Sequence, residues 1–366
     1  MSFLFLRAFA AASIAGAPGP AATPAPAPTP LPRPPQFVVM AFDGAGLPDL
    51  FQDWREVARK SHAHFTFFLS GVYLLEPEHR KVYTPPDRLA GKSAIGFLPV
   101  PKGEKPDDAL RALLAEVDAA IAEGHEIGTH FNGHWCGDGG IGDWDSDDWR
   151  EEIDEFRRLV TDINRNNALD PPITTALTAK MIVGARTPCL EGDRLELDAA
   201  LRSAGFRYDA SRPGVKGEWP RREYGLWSFP VPPLRLPDAP HPVLAYDYNL
   251  YAHTLAGNPD VEDPEVAAHS EKEAYDALIA AFDESYYGSR APFAVGSHFE
   301  RWNHSAYTLA IGRFLEEVCV RPEVRCESFS ALADWLDAQS AGDLARMKRG
   351  DFERLARHPA KSRASR

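Results

Sequence analysis

From residue 37 onward the chain alternates short β-type runs with amphipathic helical stretches. FVVMAF (37–42) is continuously apolar, as a strand covered on both faces should be. A helix is expected over 49–60, then the strand HFTFFLS (64–70) and a Pro/Gly-rich loop over 76–106. DDALRALLAEVDAAIAEG spaces Leu110, Leu113, Leu114, Val117 and Ile121 for one helix face, with acids in its first turn and Gly124 past its end. HEIGTH (125–130) reads as a strand, 148–166 as a helix, TAKMIVGA (178–185) as a strand and about 193–204 as a helix. RYDAS, YGLWSFPV and PVLAYDYNLY read as strands or strand ends. A helix at 270–284 precedes FAVGSHF, a helix at 306–318, VRCESF and the helix SALADWLDA. Alternation over about 300 residues predicts a parallel sheet covered by helices. The fold class expected is α/β, a distorted (β/α) barrel of about seven strand-helix units. In such barrels the chemistry sits at the carboxyl ends of the strands.

The ends of the chain have a different texture. Residues 1–17, MSFLFLRAFAAASIAGA, are apolar and close on an A-x-A-like pattern, a candidate signal peptide. Nine of residues 18–35 are proline, so 18–36 reads as an extended linker. The body is expected at 37–338, and 339–366, rich in Lys and Arg, as a disordered basic tail. A net charge of −13 argues against nucleic acid as a partner. No stretch has the roughly 20 apolar residues of a membrane helix. Four cysteines and a candidate signal point to disulfides and to a secreted, periplasmic or cell-surface location. Cys319 and Cys326 are spaced to close a bridge, while Cys136 and Cys189 each follow a site motif.

Five chemically active residues fall where a predicted strand ends: Asp43, His130, Arg186, Asp247 and His298. His130 and His134 in THFNGH can share a face and offer two imidazoles to one ion. The pattern is not HExxH, because Phe131 stands in the glutamate position. Asp43 follows an apolar strand, a costly place for an unused carboxylate. Arg186, with Pro188 pinning the turn behind it, can orient such a carboxylate through paired hydrogen bonds. His298 and an early aspartate make an acid–base couple for hydrolysis. His125 is expected to pack locally. The acid-rich loop 138–148 reads as an exposed segment capping the next helix, and Asn303-His304-Ser305 fits a glycosylation sequon.

Taken in order, these segments resemble the motifs of the polysaccharide deacetylases, carbohydrate esterase family four, or NodB homology, type. AFDG is similar to T-F-D-D, THFNGH to H-(S/T)-x-x-H, RTPC to R-x-P-(Y/F), GLWSFPVPP to the Trp-containing region, and VGSH to the apolar strand ending in L-x-H. AGFRYDAS resembles a further family stretch. The resemblance covers about residues 37–338. It implies metal-dependent hydrolysis of acetyl groups on an acetylated polysaccharide or oligosaccharide, with a divalent ion, Zn or Co, as cofactor. It casts Asp43 as base, Arg186 as its orienting partner, His298 as acid, His130 and His134 as metal ligands, and Trp227 and Pro188 as substrate-binding residues.

The pattern departs at Gly44, where the family carries the second, metal-binding aspartate. Cys189 also replaces an aromatic residue. Asp43 itself, Asp247 or Glu300 are candidate replacements for the missing ligand. The competing reading is a carbohydrate-binding relative without turnover.

Overall fold

The computed structural model describes residues 29–86, 93, 95–237, 239–255 and 263–355. The candidate signal peptide, most of the proline-rich segment and residues 356–366 lie outside the described residues. The described residues from 31 to 355 form one compact unit.

Its centre is β1 (Gln36–Asp43), buried along its whole length. β1 pairs in parallel with β2 (Thr66–Leu69), which pairs with β3 (Glu126–Thr129), then β4 (Gly184–Ala185), β5 (Tyr208–Pro213) and, past the intervening β6 (Arg221–Glu223), β7 (Leu226–Val231). β6 joins β7 antiparallel at the edge. After the small pair β8 (Pro233–Leu234) and β9 (Val243–Leu244), β10 (Phe293–His298) returns to the other side of β1. β11 (Val324–Cys326) pairs with the start of β1. The result is a nine-stranded sheet, ordered β10-β1-β2-β3-β4-β5-β7-β6 with β11 beside β1. The sheet curls, and helices cover it, as in a distorted (β/α) barrel.

Side chains alternate across a strand, and β1 separates two cores by that rule. Val38, Met40 and Phe42 face the helices, packing with Trp54 of α1 (Pro48–Ser61) and Leu113 of α2 (Pro106–Ala122). Phe37, Val39 and Ala41 face inward with Tyr208, Ala210, Trp227 and Phe229. Asp43 continues the inward parity and is the first residue of that face to reach the carboxyl rim.

The remaining helices are α3 (Ser146–Thr161), the short α4 (Ile163–Asn166), α5 (Arg194–Ser203), α6 (Asp247–Thr254), α7 (Pro264–Glu284), α8 (Trp302–Val318), α9 (Phe329–Asp337) and α10 (Ala341–Lys348). The acidic loop before α3 caps it: Asp145 accepts from the amides of Asp147 and Asp148, and Asp148 returns a bond to the Asp145 amide. His125 is buried and accepts from the Phe65 amide at 3.0 Å, a packing role.

Four expectations need correction. The run 178–185 is mostly a turn, and only Gly184–Ala185 pairs. There the Tyr208 ring covers Gly184, so closely that a Cβ would meet it at 1.8 Å. PVLAYDYNLY is not one strand: two residues pair in β9, and Asp247 opens α6. Residues 339–355 are not a disordered tail. Ser340 caps α10, Met347 is buried in the inner cluster, and Phe352 bridges to Leu31. That bridge, with Arg33 paired to Glu323 at 2.6 Å, also ties down the end of the expected linker.

Candidate active site

The strand ends surround a cleft of about 770 Å³. Register brings Asp43 and His298 side by side, on adjacent parallel strands. β3 delivers His130 one residue past its end, where the His130 amide bonds the Leu69 carbonyl at 2.9 Å. β4 delivers Arg186 in the same way, its amide donating to Thr129 at 3.0 Å.

Arg186 is fully buried. Its Nη1 donates to Asp43 Oδ1 at 2.8 Å and its Nε to the Ala210 carbonyl at 3.0 Å. The guanidinium lies among the rings of Phe68, Tyr246 and Phe329, with the nearest centroid at 4.7 Å. Burial alone would raise the Asp43 pKa. The charge and hydrogen bond of Arg186, helped by His298, outweigh it and hold the carboxyl below its ordinary value. The Tyr246 hydroxyl lies near enough to feel the Asp43 charge but makes no hydrogen bond of good geometry.

On the other side of Asp43, His298 Nδ1 contacts Asp247 Oδ1 at 2.8 Å. Asp247 Oδ2 accepts from the His298 amide at 2.7 Å and from Ser297 Oγ at 2.8 Å. The carboxylate fixes the ring, leaving Nε2 as the nitrogen free to act. Burial pulls the His298 pKa down, but the charge and hydrogen bond of Asp247, with Asp43 behind them, raise it above the ordinary value.

His130 Nδ1 contacts the Arg186 carbonyl at 2.9 Å, which fixes the tautomer and leaves Nε2 open. The His130 and His134 ring centroids are 5.4 Å apart. Burial depresses both pKa values, that of His130 to about 3. Both rings are therefore neutral. The loop reaches this shape through left-handed residues at Phe131 and His134, with φ of 57° and 59°. It is anchored from below by buried Glu152 of α3, which accepts from the Asn132 amide and from Tyr83 Oη. A disulfide joins Cys136 to Cys189, tying the loop after β3 to the loop after β4. Cys319 and Cys326 form the second bridge.

The donor set for an ion is incomplete. Ligands of one zinc-like ion lie about 2.0–2.2 Å from it, so their donor atoms lie within about 4.4 Å of each other. Among the described residues, His130, His134 and a carboxylate do not form a group whose ligand atoms all lie within 4.8 Å of one another. Asp247 is therefore corrected: it is the partner of His298, not a third ligand. Glu300 lines the cleft but does not join the histidines either. At Gly44 there is room for a side chain, since a Cβ would stand 3.8 Å from Ser70 Oγ and from the Tyr73 ring. The backbone there has φ of 67°. The residues present do not fit a three-ligand catalytic ion.

Two substrate-site expectations also fail. Trp227 lies at the start of β7, the opposite end of the strand from the rim, and is buried in the inner core with Nε1 donating to Asp337 at 2.9 Å. Pro188 is buried under the turn, and Cys189 and Leu190 after it line the cleft instead. The aromatic walls come from Tyr73, Tyr246, Tyr248 and Trp302. No motif marked those four. The signal available for Asp247 was a lone carboxylate inside the apolar stretch LAYDYNLY. Asn303, in the sequon, is buried and bonds Tyr307, so it is not an open acceptor.

No family model matches the sequence, and no curated protein matches it. Solved structures do match. A protein assigned as a polysaccharide deacetylase from Mycobacterium smegmatis is 15% identical, with 92% of this chain and 99% of that chain covered and a TM-score of 0.49. Another so assigned, from Pseudomonas aeruginosa, is 13% identical over 83% and 92% of the two chains, with a TM-score of 0.49. Peptidoglycan deacetylase PdaC from Bacillus subtilis is 12% identical over 85% and 96%, with a TM-score of 0.42. The chemistry is argued from the rim itself, where four motif segments, those of Asp43, His130 and His134, Arg186 and His298, meet at one cleft. In that meeting of motifs the chain resembles a divergent polysaccharide deacetylase of the carbohydrate esterase four, or NodB homology, type.

Proposed function

We propose that the chain is a hydrolase that removes acetyl groups from an acetylated polysaccharide or oligosaccharide. The observation that carries this reading is the placement of Asp43 and His298 on adjacent strand ends, with opposite pKa shifts and a separate partner each. Hydrolysis of an acetyl amide or ester needs a base for water and an acid for the leaving group. Asp43, ionised and oriented by Arg186, takes the proton of the attacking water. His298, held by Asp247, gives its Nε2 proton to the departing nitrogen or oxygen. The neutral imidazoles of His130 and His134 are left to hydrogen-bond water or substrate. The resemblance implies an ion at those two histidines, but the donors do not support one, so no step is routed through it.

Tyr248 and Trp302, with ring centroids 5.7 Å apart at the cleft, offer flat apolar faces for a sugar ring. The two disulfides support an exported protein, and among the described residues no helix is long and apolar enough to cross a membrane. A second reading, a carbohydrate-binding protein without turnover, is favoured by the incomplete donor set.

Acetate release from a panel of N- and O-acetylated glycans, wild type against Asp43→Asn, separates the two. Release by wild type and loss in the variant is the expected result. Saturable glycan binding with no release by either protein would replace the enzyme reading with the binding one.

A further inference from the structure

Away from the cleft histidines, Glu76-Pro77-Glu78-His79 leads into a short 3-10 turn, Pro77–Val82. Among the described residues, two groups of three donors bring their ligand atoms within 4.8 Å of one another. One is His134 with Cys136 and Cys189, whose sulfurs are bonded to each other and are not thiolates. The other is Glu76, Glu78 and His79, and none of these is covalently committed.

Glu76 makes this second group more than a surface cluster. It is only 4% exposed, and its Oε1 is buried with no hydrogen-bond partner among the described residues. Burial raises its pKa, and the negative charges of Glu78 and Asp107 push the same way, opposed by His79 and Arg111. Arg111 is already engaged, by Asp107 at 2.7 Å and by the Pro171 carbonyl at 2.6 Å. His79 Nε2 lies 3.8 Å from Glu78 Oε1, so the imidazole is at the cluster but not hydrogen-bonded to it. A buried carboxylate among like charges is costly unless a cation meets it.

We propose that Glu76, Glu78 and His79 form a divalent-cation site. Two carboxylates and an imidazole suit Zn²⁺ or Mn²⁺ better than Ca²⁺, which takes oxygen ligands in larger number. The ion ties the start of the 77–82 turn to the buried Glu76 that precedes it. The Leu75 carbonyl, next in chain, accepts from the Leu98 amide at 3.4 Å, and Ile95 and Pro99 of that segment wall the cleft. The site thus steadies one wall of the cleft from behind. This inference is independent of the reaction proposed above.

The test is calorimetric titration of Zn²⁺ and Mn²⁺ into metal-stripped full-length protein, with His79→Ala, Glu76→Gln and His130→Ala in parallel. One ion is expected to bind wild type and His130→Ala equally. Affinity should fall about tenfold or more in His79→Ala and Glu76→Gln. The metal should raise the thermal midpoint of wild type but not of His79→Ala. Circular dichroism of the metal-free proteins checks that the variants fold; His79 is partly exposed and its truncation leaves no core cavity. Absence of binding overturns the proposal. Binding lost in His130→Ala and kept in His79→Ala also overturns it, by placing the ion in the cleft.

Discussion

The two sides of the cleft handle their polar groups differently. On the strand-end side each carboxylate is assigned: Asp43 to Arg186, and Asp247 to the ring, amide and neighbouring hydroxyl of His298. On the loop side His130 and His134 stand neutral, and among the described residues no carboxylate joins the two of them in one compact three-donor group. The difference follows from what holds each side. Asp43 and His298 are fixed by strand register, which cannot shift without moving the whole inner face. At the position after Asp43, where the resemblance implies a third donor, the chain carries Gly44, which offers none. The Asp43–His298 pairing shares no residue with that position.

The comparison is broken most severely at Asp43. Asp43→Asn should lower acetate release by about 10²–10⁴-fold, the range of a lost general base, and should also cost stability because the buried Arg186 charge loses its partner, so the rate is read on protein shown to be folded by circular dichroism. Removing its partner instead, Arg186→Met, leaves a buried charge unpaired. It should cost about 3–5 kcal/mol of stability by denaturant unfolding.

The loop side is sharpened by Gly44→Asp. The position has space for the side chain, and a third donor should raise Co²⁺ or Zn²⁺ affinity at the histidines by about 10–100-fold over wild type, read by titration with and without His130→Ala. A non-glycine residue at φ of 67° carries a strain of about 1–2 kcal/mol, so a slightly lower midpoint should accompany the gain. Unchanged affinity would mean that the loop holds the two rings apart for reasons other than Gly44.

Asp247→Asn tests the pH behaviour. Asp247 raises the His298 pKa, so the imidazolium of wild type persists above the ordinary histidine range and is lost as pH rises through that raised value. Removing the charge should move the alkaline limb of the rate profile to lower pH. The acidic limb belongs to Asp43, lies below the ordinary carboxylate range, and should stay in place. The smallest effect is expected at Trp227→Phe, which should change the rate by less than about twofold. It should cost about 1 kcal/mol through the lost bond to Asp337.

Much of this architecture was legible along the chain. The apolar run ending at Asp43, the alternation that followed, and the order of His130, Arg186 and His298 located the sheet and four of its rim segments. Local patterns carry that information because burial on both faces demands it. Partnership was less legible. Asp247 looked like a spare carboxylate until β10 brought His298 to it. Trp227 looked like a pocket wall until its place at the start of β7 put it in the core.

The sequence alone determined the class of fold, the inventory of reactive side chains and the absence of an aspartate at position 44, because these depend on residue type and period. The tertiary structure decided which carboxylate serves which cation, which aromatics face the cleft and that one Glu76 carboxylate oxygen is buried without a partner among the described residues. Those outcomes depend on distances between segments far apart in the chain, which strand register and helix packing set and no local pattern encodes.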